Sequence, residues 1–154
     1  MAKAPSPTAP TGFPIRGWFA DSDPSFRREM LALARPKSYA AGSVIYQAGD
    51  PGRDVFGVRS GVITLSGKFT HPDAVLLHML RPGDWFGTVP VLIERSRRIT
   101  AIARTDVDTL CVPGDQLRAL LRHHPEWVIE LGRDLAYYMD LGMQIASDLL
   151  IRNA

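Results

Sequence analysis

The sequence predicts an α+β fold, in which one antiparallel β domain follows a short helix and precedes a long one. Three observations carry that prediction. From Lys37 to Val112, short β-branched and aromatic runs alternate with Gly, Pro and Asp, the pattern of many short strands joined by turns in a sandwich or small barrel. Before that stretch, Asp23-Pro24 opens a run with helical apolar spacing. After Pro113 the apolar period returns to that of a helix and holds almost to the last residue.

The elements follow in order. Met1–Pro14 holds four prolines among Ala, Ser and Thr, so residues 1–16 are expected to form a loose tail. Trp18 and Phe19 then suggest a segment pinned to the body. Asp23 can cap, Pro24 suits a first helical turn, and Phe26, Met30, Leu31 and Leu33 predict a helix to about Ala34, stopped by Pro36. Strands are predicted at Ser38–Tyr39, Val44–Gln47, Val55–Val58, Val62–Phe69, Ala74–Leu80, Trp85–Phe86, Thr100–Arg104 and Thr109–Val112. Asp115–His123 reads as a short helix, and Pro125 opens a long one running to about Arg152. The division is thus a tail (1–16), a β domain (17–124) and a long helix (125–154). Along that helix Val128, Leu131, Leu135, Tyr138, Gly142, Ile145 and Leu149 recur at alternating spacings of three and four, the seam of a helix that pairs with another. A helix lying on its own core carries the same stripe. Because no further element follows to cover it, a second copy of the chain is expected, giving a homodimer.

Composition bounds the function. With 154 residues and 45% hydrophobic content, the chain can bury one sizeable core. A net charge of +2 is too small an electrostatic footprint for nucleic-acid binding by this chain alone. No apolar run approaches the ~18–20 residues of a membrane span, and the N-terminus has no apolar signal-peptide core. A single cysteine, Cys111, forbids an intrachain disulfide and a cluster held by several cysteines of one chain. It fits a reducing cytoplasm, and its simplest role is a small buried hydrophobe.

The densest information lies in Arg81–Thr105, RPGDWFGTVPVLIERSRRITAIART. It reads strand, Gly-containing turn, short helical segment, arginine pair, strand. Gly87 lets the backbone approach a ligand closely, because it has no Cβ. Amides at the start of the short segment can face a negative charge, and Arg97 or Arg98 can fork onto two phosphate oxygens. The segment resembles the phosphate-binding cassette of the cyclic-nucleotide-binding domain, and more narrowly that of the sensor domain of Crp/Fnr transcription regulators. GSVIYQAGD (Gly42–Asp50) and DVFGVRSGVITL (Asp54–Leu65) resemble the family's first two hairpins, and the likeness runs from about Ser25 to Leu150. The resemblance implies an eight-strand jelly roll (a double-stranded β-helix), dimerisation through the long helix, and a small anionic effector of the cyclic-nucleotide kind. It also implies a winged helix-turn-helix beyond the long helix, so that DNA is a partner only through a domain this chain does not contain. Phe86, Gly87, Thr88, Val89 and Arg97 are then the ligand-binding cassette residues. Arg98, one step on, should turn to the opposite face by strand alternation. Tyr138 and Gly142 would approach the ligand from the long helix.

Three departures from the family pattern weaken the expectation for cAMP. Thr88 stands where cyclic-nucleotide binders have a Glu that accepts the ribose 2′-hydroxyl; a neutral hydroxyl cannot supply that charge-assisted bond. Pro90 removes an amide donor, in a cassette one residue short between Leu92 and Arg97. Gly142-Met143 occupies the place of a Thr-Ser pair that meets the adenine. Tyr138 has two readings, stacking on a ligand and packing across a dimer.

An enzyme has no residues to carry it: no Ser/His/Asp set or carboxylate pair falls at a useful spacing. His71 and His78 lack the paired arrangement of a cupin metal site, so no metal and no certain cofactor is expected. Two functional readings stand. The first is an effector sensor; the second is a dimerisation module that keeps the fold without the ligand. The helical run to Leu149–Ala154 carries no Gly or Pro stop and reads as a helix cut in mid-course, with a stand-alone sensor as the alternative.

Overall fold

The computed structural model describes residues 12–68 and 72–153. Most of the expected tail, Phe69 at the end of an expected strand, His71 and Ala154 lie outside them. Gly17–Asp21 forms a short helix (α1) and Pro24–Leu33 the expected one (α2). The Asp23 carboxylate accepts from the amides of Ser25 and Phe26 at 2.8 and 3.0 Å, so the cap read from Asp23-Pro24 starts α2.

Eight strands follow: β1 (Arg35–Tyr39), β2 (Val44–Tyr46), β3 (Val55–Ser60), β4 (Ile63–Gly67), β5 (Val75–Leu80), β6 (Trp85–Phe86), β7 (Thr100–Ala103) and β8 (Val107–Val112). They form two four-stranded sheets in the orders β1-β8-β3-β6 and β2-β7-β4-β5, with neighbouring strands antiparallel. This is the antiparallel jelly roll expected. β1 begins earlier than the sequence suggested and contains Pro36. It lies at a sheet edge, where a missing amide is tolerated.

Two cores result, and β3 shows why. Val55 packs toward the helices, while Phe56 and Val58 point into the roll, as strand alternation requires. Because both faces are covered, Val55, Phe56 and Val58 are all buried, and the run is apolar rather than alternating. Gly57 faces the helices too. A Cβ there would lie 2.6 Å from the Phe13 ring. Phe13 packs at a tilt on Trp85, with ring centres 4.9 Å apart, and Arg16 pairs with Asp84 at 2.8 Å. Residues 13–16, placed in the tail by composition, are therefore docked on the body; their two anchors are too few to outweigh the surrounding Pro and Ala in a sequence reading.

A short helix α3 (Val89–Leu92) follows β6, and α4 (Gly114–His123) follows β8. Pro125–Trp127 is a 3₁₀ turn, and the long helix α5 starts just after it, at Val128–Arg152. Its apolar stripe divides. Leu131 is fully buried, and Leu135 and Tyr138 are half-buried on this chain's own body. From Gly142 onward the described residues are exposed, including Met143, Ile145, Leu149, Leu150 and Ile151.

Candidate functional site

The cassette is built on the shortest strand. Trp85 and Phe86 point to opposite faces of β6. Trp85 joins the helical core, and Phe86 stacks on Phe56 at 5.3 Å inside the roll. The next residue, Gly87, has φ +87°, a left-handed conformation that favours glycine. An added Cβ would meet both the Asp54 carbonyl oxygen and Arg97 Nη1 at 2.9 Å. The close approach expected at Gly87 is thus to the arginine itself.

Arg97 points inward and is 5% exposed. Its backbone is pinned to the loop after β2: the Arg97 amide donates to Asp50 O at 2.8 Å, and the Gly49 amide donates to Arg97 O at 2.7 Å. Its guanidinium donates to Gly87 O at 2.8 Å and to the Asp54 carbonyl, and lies 4.1 Å from the centre of the Tyr46 ring. Nε has no hydrogen-bond partner. Among the described residues no carboxylate forms an ion pair with it. Burial lowers Arg97 from its ordinary pKa, opposed by the charges of Tyr46, Asp54 and Asp50. Burial likewise pushes the Tyr46 hydroxyl up to about 12, against the pull of Arg97.

Arg98 is exposed, so the two neighbouring arginines face opposite ways. Val89 is 43% exposed. Thr88 is 3% exposed and faces away from Arg97: its Oγ1 donates to Asp134 Oδ2 on α5 at 2.7 Å. Asp134 is 1% exposed, its Oδ1 has no partner, and desolvation pushes its carboxyl up to about 7, against the Thr88 hydrogen bond. Tyr138 donates to the Trp85 carbonyl at 2.6 Å and meets His78 edge-on at 5.8 Å. Gly142 is exposed, with nothing within 4 Å of an added Cβ. The structure therefore brings Gly87 and Arg97 together next to Phe86, turns Thr88 away to Asp134, places Tyr138 beside Trp85, and leaves Val89, Arg98 and Gly142 exposed.

Tyr46, Asp54 and Asp134 are the members that the sequence reading passed over. Tyr46 and Asp54 sit inside the quoted hairpin motifs. Asp134 had a signal as well: with Leu131, Leu135 and Tyr138 it completes an i, i+3, i+4, i+7 face, an acid where an apolar residue is usual. Among the described residues no group of His, Cys, Asp and Glu is arranged to hold a metal ion.

A buried arginine under a glycine turn, between two antiparallel sheets, has a match among known families. The family model of the cyclic nucleotide-binding domain covers residues 36–124. The chain belongs to the cyclic nucleotide-binding domain family. Crp/Fnr-type regulators are among its relatives. The HTH-type transcriptional regulator Cmr of Mycobacterium tuberculosis is 33% identical over 107 residues, 68% of this chain and 43% of that protein. Glutaminase 2 of Bradyrhizobium diazoefficiens is 32% identical over 107 residues, 70% of this chain and 16% of that protein. The crystal structure of the Thermus thermophilus catabolite activator protein superposes with a TM-score of 0.67 at 26% identity, covering 86% of this chain and 61% of that one. The chain spans less than two thirds of each of these three. Among the described residues no helix is long and apolar enough to cross a membrane.

Proposed function

We propose that this domain is the effector-sensing part of a Crp/Fnr-type regulator and that it binds a small anionic, cyclic-nucleotide-like ligand at Arg97. The supporting observation is the state of that arginine. A guanidinium 5% exposed, with no carboxylate paired to it among the described residues and Nε unpartnered, is a buried cation held by two carbonyls and a ring. Buried charges are ordinarily paired, and a ligand anion would complete this one. The ligand would replace Gly87 O and Asp54 O as the partner of the guanidinium and so alter the turn that carries Thr88, whose hydroxyl holds α5 through Asp134. Ligation at Arg97 would thereby reach the long helix, and through it a DNA-reading module elsewhere in the protein. The role is regulatory rather than catalytic, and the setting is the cytoplasm.

cAMP itself would bind weakly, because Thr88 is committed to Asp134 and Gly142 offers no hydroxyl to a base. The test is native mass spectrometry of the purified chain, followed by calorimetric titration with cyclic mononucleotides and cyclic dinucleotides. Binding of one of them, lost in Arg97→Gln, supports the reading. Low-micromolar cAMP affinity would correct the expectation for cAMP, and no anion bound by the wild type would overturn the sensor. The second reading, a ligand-less dimerisation module, is favoured by one observation: two guanidinium nitrogens of Arg97 are already satisfied by the chain's own carbonyls.

Homodimerisation through α5 belongs to both readings. Its exposed outer half carries Met139, Met143, Ile145, Leu149, Leu150 and Ile151, a run of apolar area seldom left to water. Sedimentation should give the mass of two chains, and Leu149→Glu, which leaves the docked half intact, should shift it toward one. A wild-type monomer at tens of micromolar removes the dimer.

A further inference from the structure

We propose that the Asp134 carboxyl is a latch that ties the long helix to the cassette, and that its protonation state sets how firmly α5 is docked. Asp134 is the last fully buried residue on α5; beyond it Leu135, Tyr138 and Leu141 are half-buried and the rest of the described helix is exposed. The carboxyl sits where docking ends, so its partner decides where the helix leaves the body. That partner is Thr88, in the turn that also holds Arg97 through the Gly87 carbonyl. Thr88 donates to Oδ2, while Oδ1 is buried with no partner.

A cavity of about 20 Å³ lies beside Asp134, lined also by Arg16, Trp18, Asp84, Trp85 and Tyr138. That is room for about one water molecule. Trp85 lines the same cavity, and its indole Nε1 is also buried without a partner.

The groups facing Asp134 make its charged form costly. On its own helix Glu130 lies one turn back, with Arg133 Nε 3.2 Å from Glu130 Oε2. Tyr138 lies one turn on, its hydroxyl donated to the Trp85 carbonyl and its ring against His78 of β5. From the β5–β6 turn comes Asp84, whose charge opposes ionisation of Asp134 but is itself paired with Arg16 at 2.8 Å. α1 lends Gly17 and Trp18 to the cavity wall and no charge. Arg16 also lines the cavity but is taken by Asp84, and among the described residues no cation forms an ion pair with the Asp134 carboxylate. The carboxyl is thus neutral at mildly acidic pH and ionises near neutrality. Once ionised, it must draw in water or pull away from the apolar wall, loosening the inner half of α5.

The experiment is amide hydrogen exchange on the wild-type chain, read as protection factors for residues 130–141 at pH about 5.5 and about 8. We expect protection there to fall about tenfold at the higher pH in the wild type and less than about twofold in Asp134→Asn, which keeps an acceptor for Thr88 but cannot ionise. An equal fall in both proteins, or none in the wild type, overturns the latch. If Asp134→Asn does not fold, the Asp134 carboxyl carbon is followed by NMR in the wild type and in Thr88→Val. An inflection within about one unit of 7, moved upward by removing the hydroxyl, supports the latch, and an inflection below about 5 overturns it.

Discussion

The two sides of the Gly87-Thr88 turn hold a buried base and a buried acid and face opposite ways. Toward the roll, the Gly87 carbonyl accepts from a buried guanidinium. Toward the helices, the Thr88 hydroxyl donates to a buried carboxyl. Among the described residues neither group has an oppositely charged partner in contact, and each is held by neutral dipoles. The two environments are not alike, however. Arg97 has two carbonyls and an aromatic face, a set that tolerates a permanent cation. Asp134 has one hydroxyl and an unpartnered oxygen, which an acid tolerates best when it is neutral. Arginine cannot relieve its burial by losing a proton, so on the proposed reading an anion would complete the roll side. Aspartic acid can relieve its burial by gaining one, so the helix side answers to pH. The contrast accounts for how one turn could report a ligand on one side and hold a helix on the other.

The largest effect on this arrangement should come from the turn itself. Gly87→Ala forces a side chain into a left-handed conformation and against the Asp54 carbonyl and Arg97. The expected loss is about 2–4 kcal/mol in urea denaturation, from the conformational penalty plus overpacking. A loss below about 0.5 kcal/mol would show that the turn can reopen and that the two sides are not rigidly linked.

Next comes the cation. Arg97→Met keeps much of the apolar stem and removes the charge-assisted donors. Affinity for an anionic effector should drop by roughly ten- to a hundredfold, equivalent to about 1.5–3 kcal/mol. Calorimetry with the ligand that the wild type accepts would measure it. Unchanged affinity would place the effector elsewhere.

The acid should show itself in the pH profile. Its folded-state value is raised above the unfolded one, from the ordinary 3.8 to about 7. The folded state therefore binds more protons between those values, and stability falls as pH rises through the window. The contribution is complete below about pH 4 and gone above about pH 7, on the order of 2 kcal/mol in all, with relaxation around the charge holding it below the full linkage value. Asp134→Asn should flatten that slope in denaturant titrations run across the window, and an unchanged slope would assign it to other groups.

Much of this arrangement was legible in the residues, and the exceptions have physical causes. Short strands between Gly, Pro and Asp gave away a sandwich or small barrel, because turn chemistry is local, and the family resemblance narrowed it to a jelly roll. Asp23-Pro24 marked α2 for the same reason. Arg97 was separable from Arg98 by alternation. What stayed hidden depends on backbone or on distant side chains. The carbonyls of Gly87 and Asp54 serve Arg97, but a carbonyl is common to every residue and leaves no trace in sequence. Thr88 read as a weakened ribose contact, because its partner lies 46 residues away on another element. Pro36 read as a helix stop when it is also part of an edge strand. The seam of α5 read as one surface, whereas the body covers only its inner half.

The smallest effect should come from Arg98, and it is the sharpest control for the contrast above. Arg98 is adjacent to Arg97 and carries the same charge, so long-range electrostatics alone would make the two substitutions similar. Its side chain is exposed, where water and salt screen a charge over about 8–10 Å and where surface pairs are worth little. Arg98→Met should change stability by less than about 0.5 kcal/mol and effector affinity by less than about threefold. Both proteins can be titrated side by side at low and at physiological salt. Equal losses from the two substitutions at either salt would mean that net positive charge attracts the effector, with the buried geometry of Arg97 irrelevant. A loss confined to Arg97 at both salts would tie recognition to the one guanidinium that the Gly87 turn encloses.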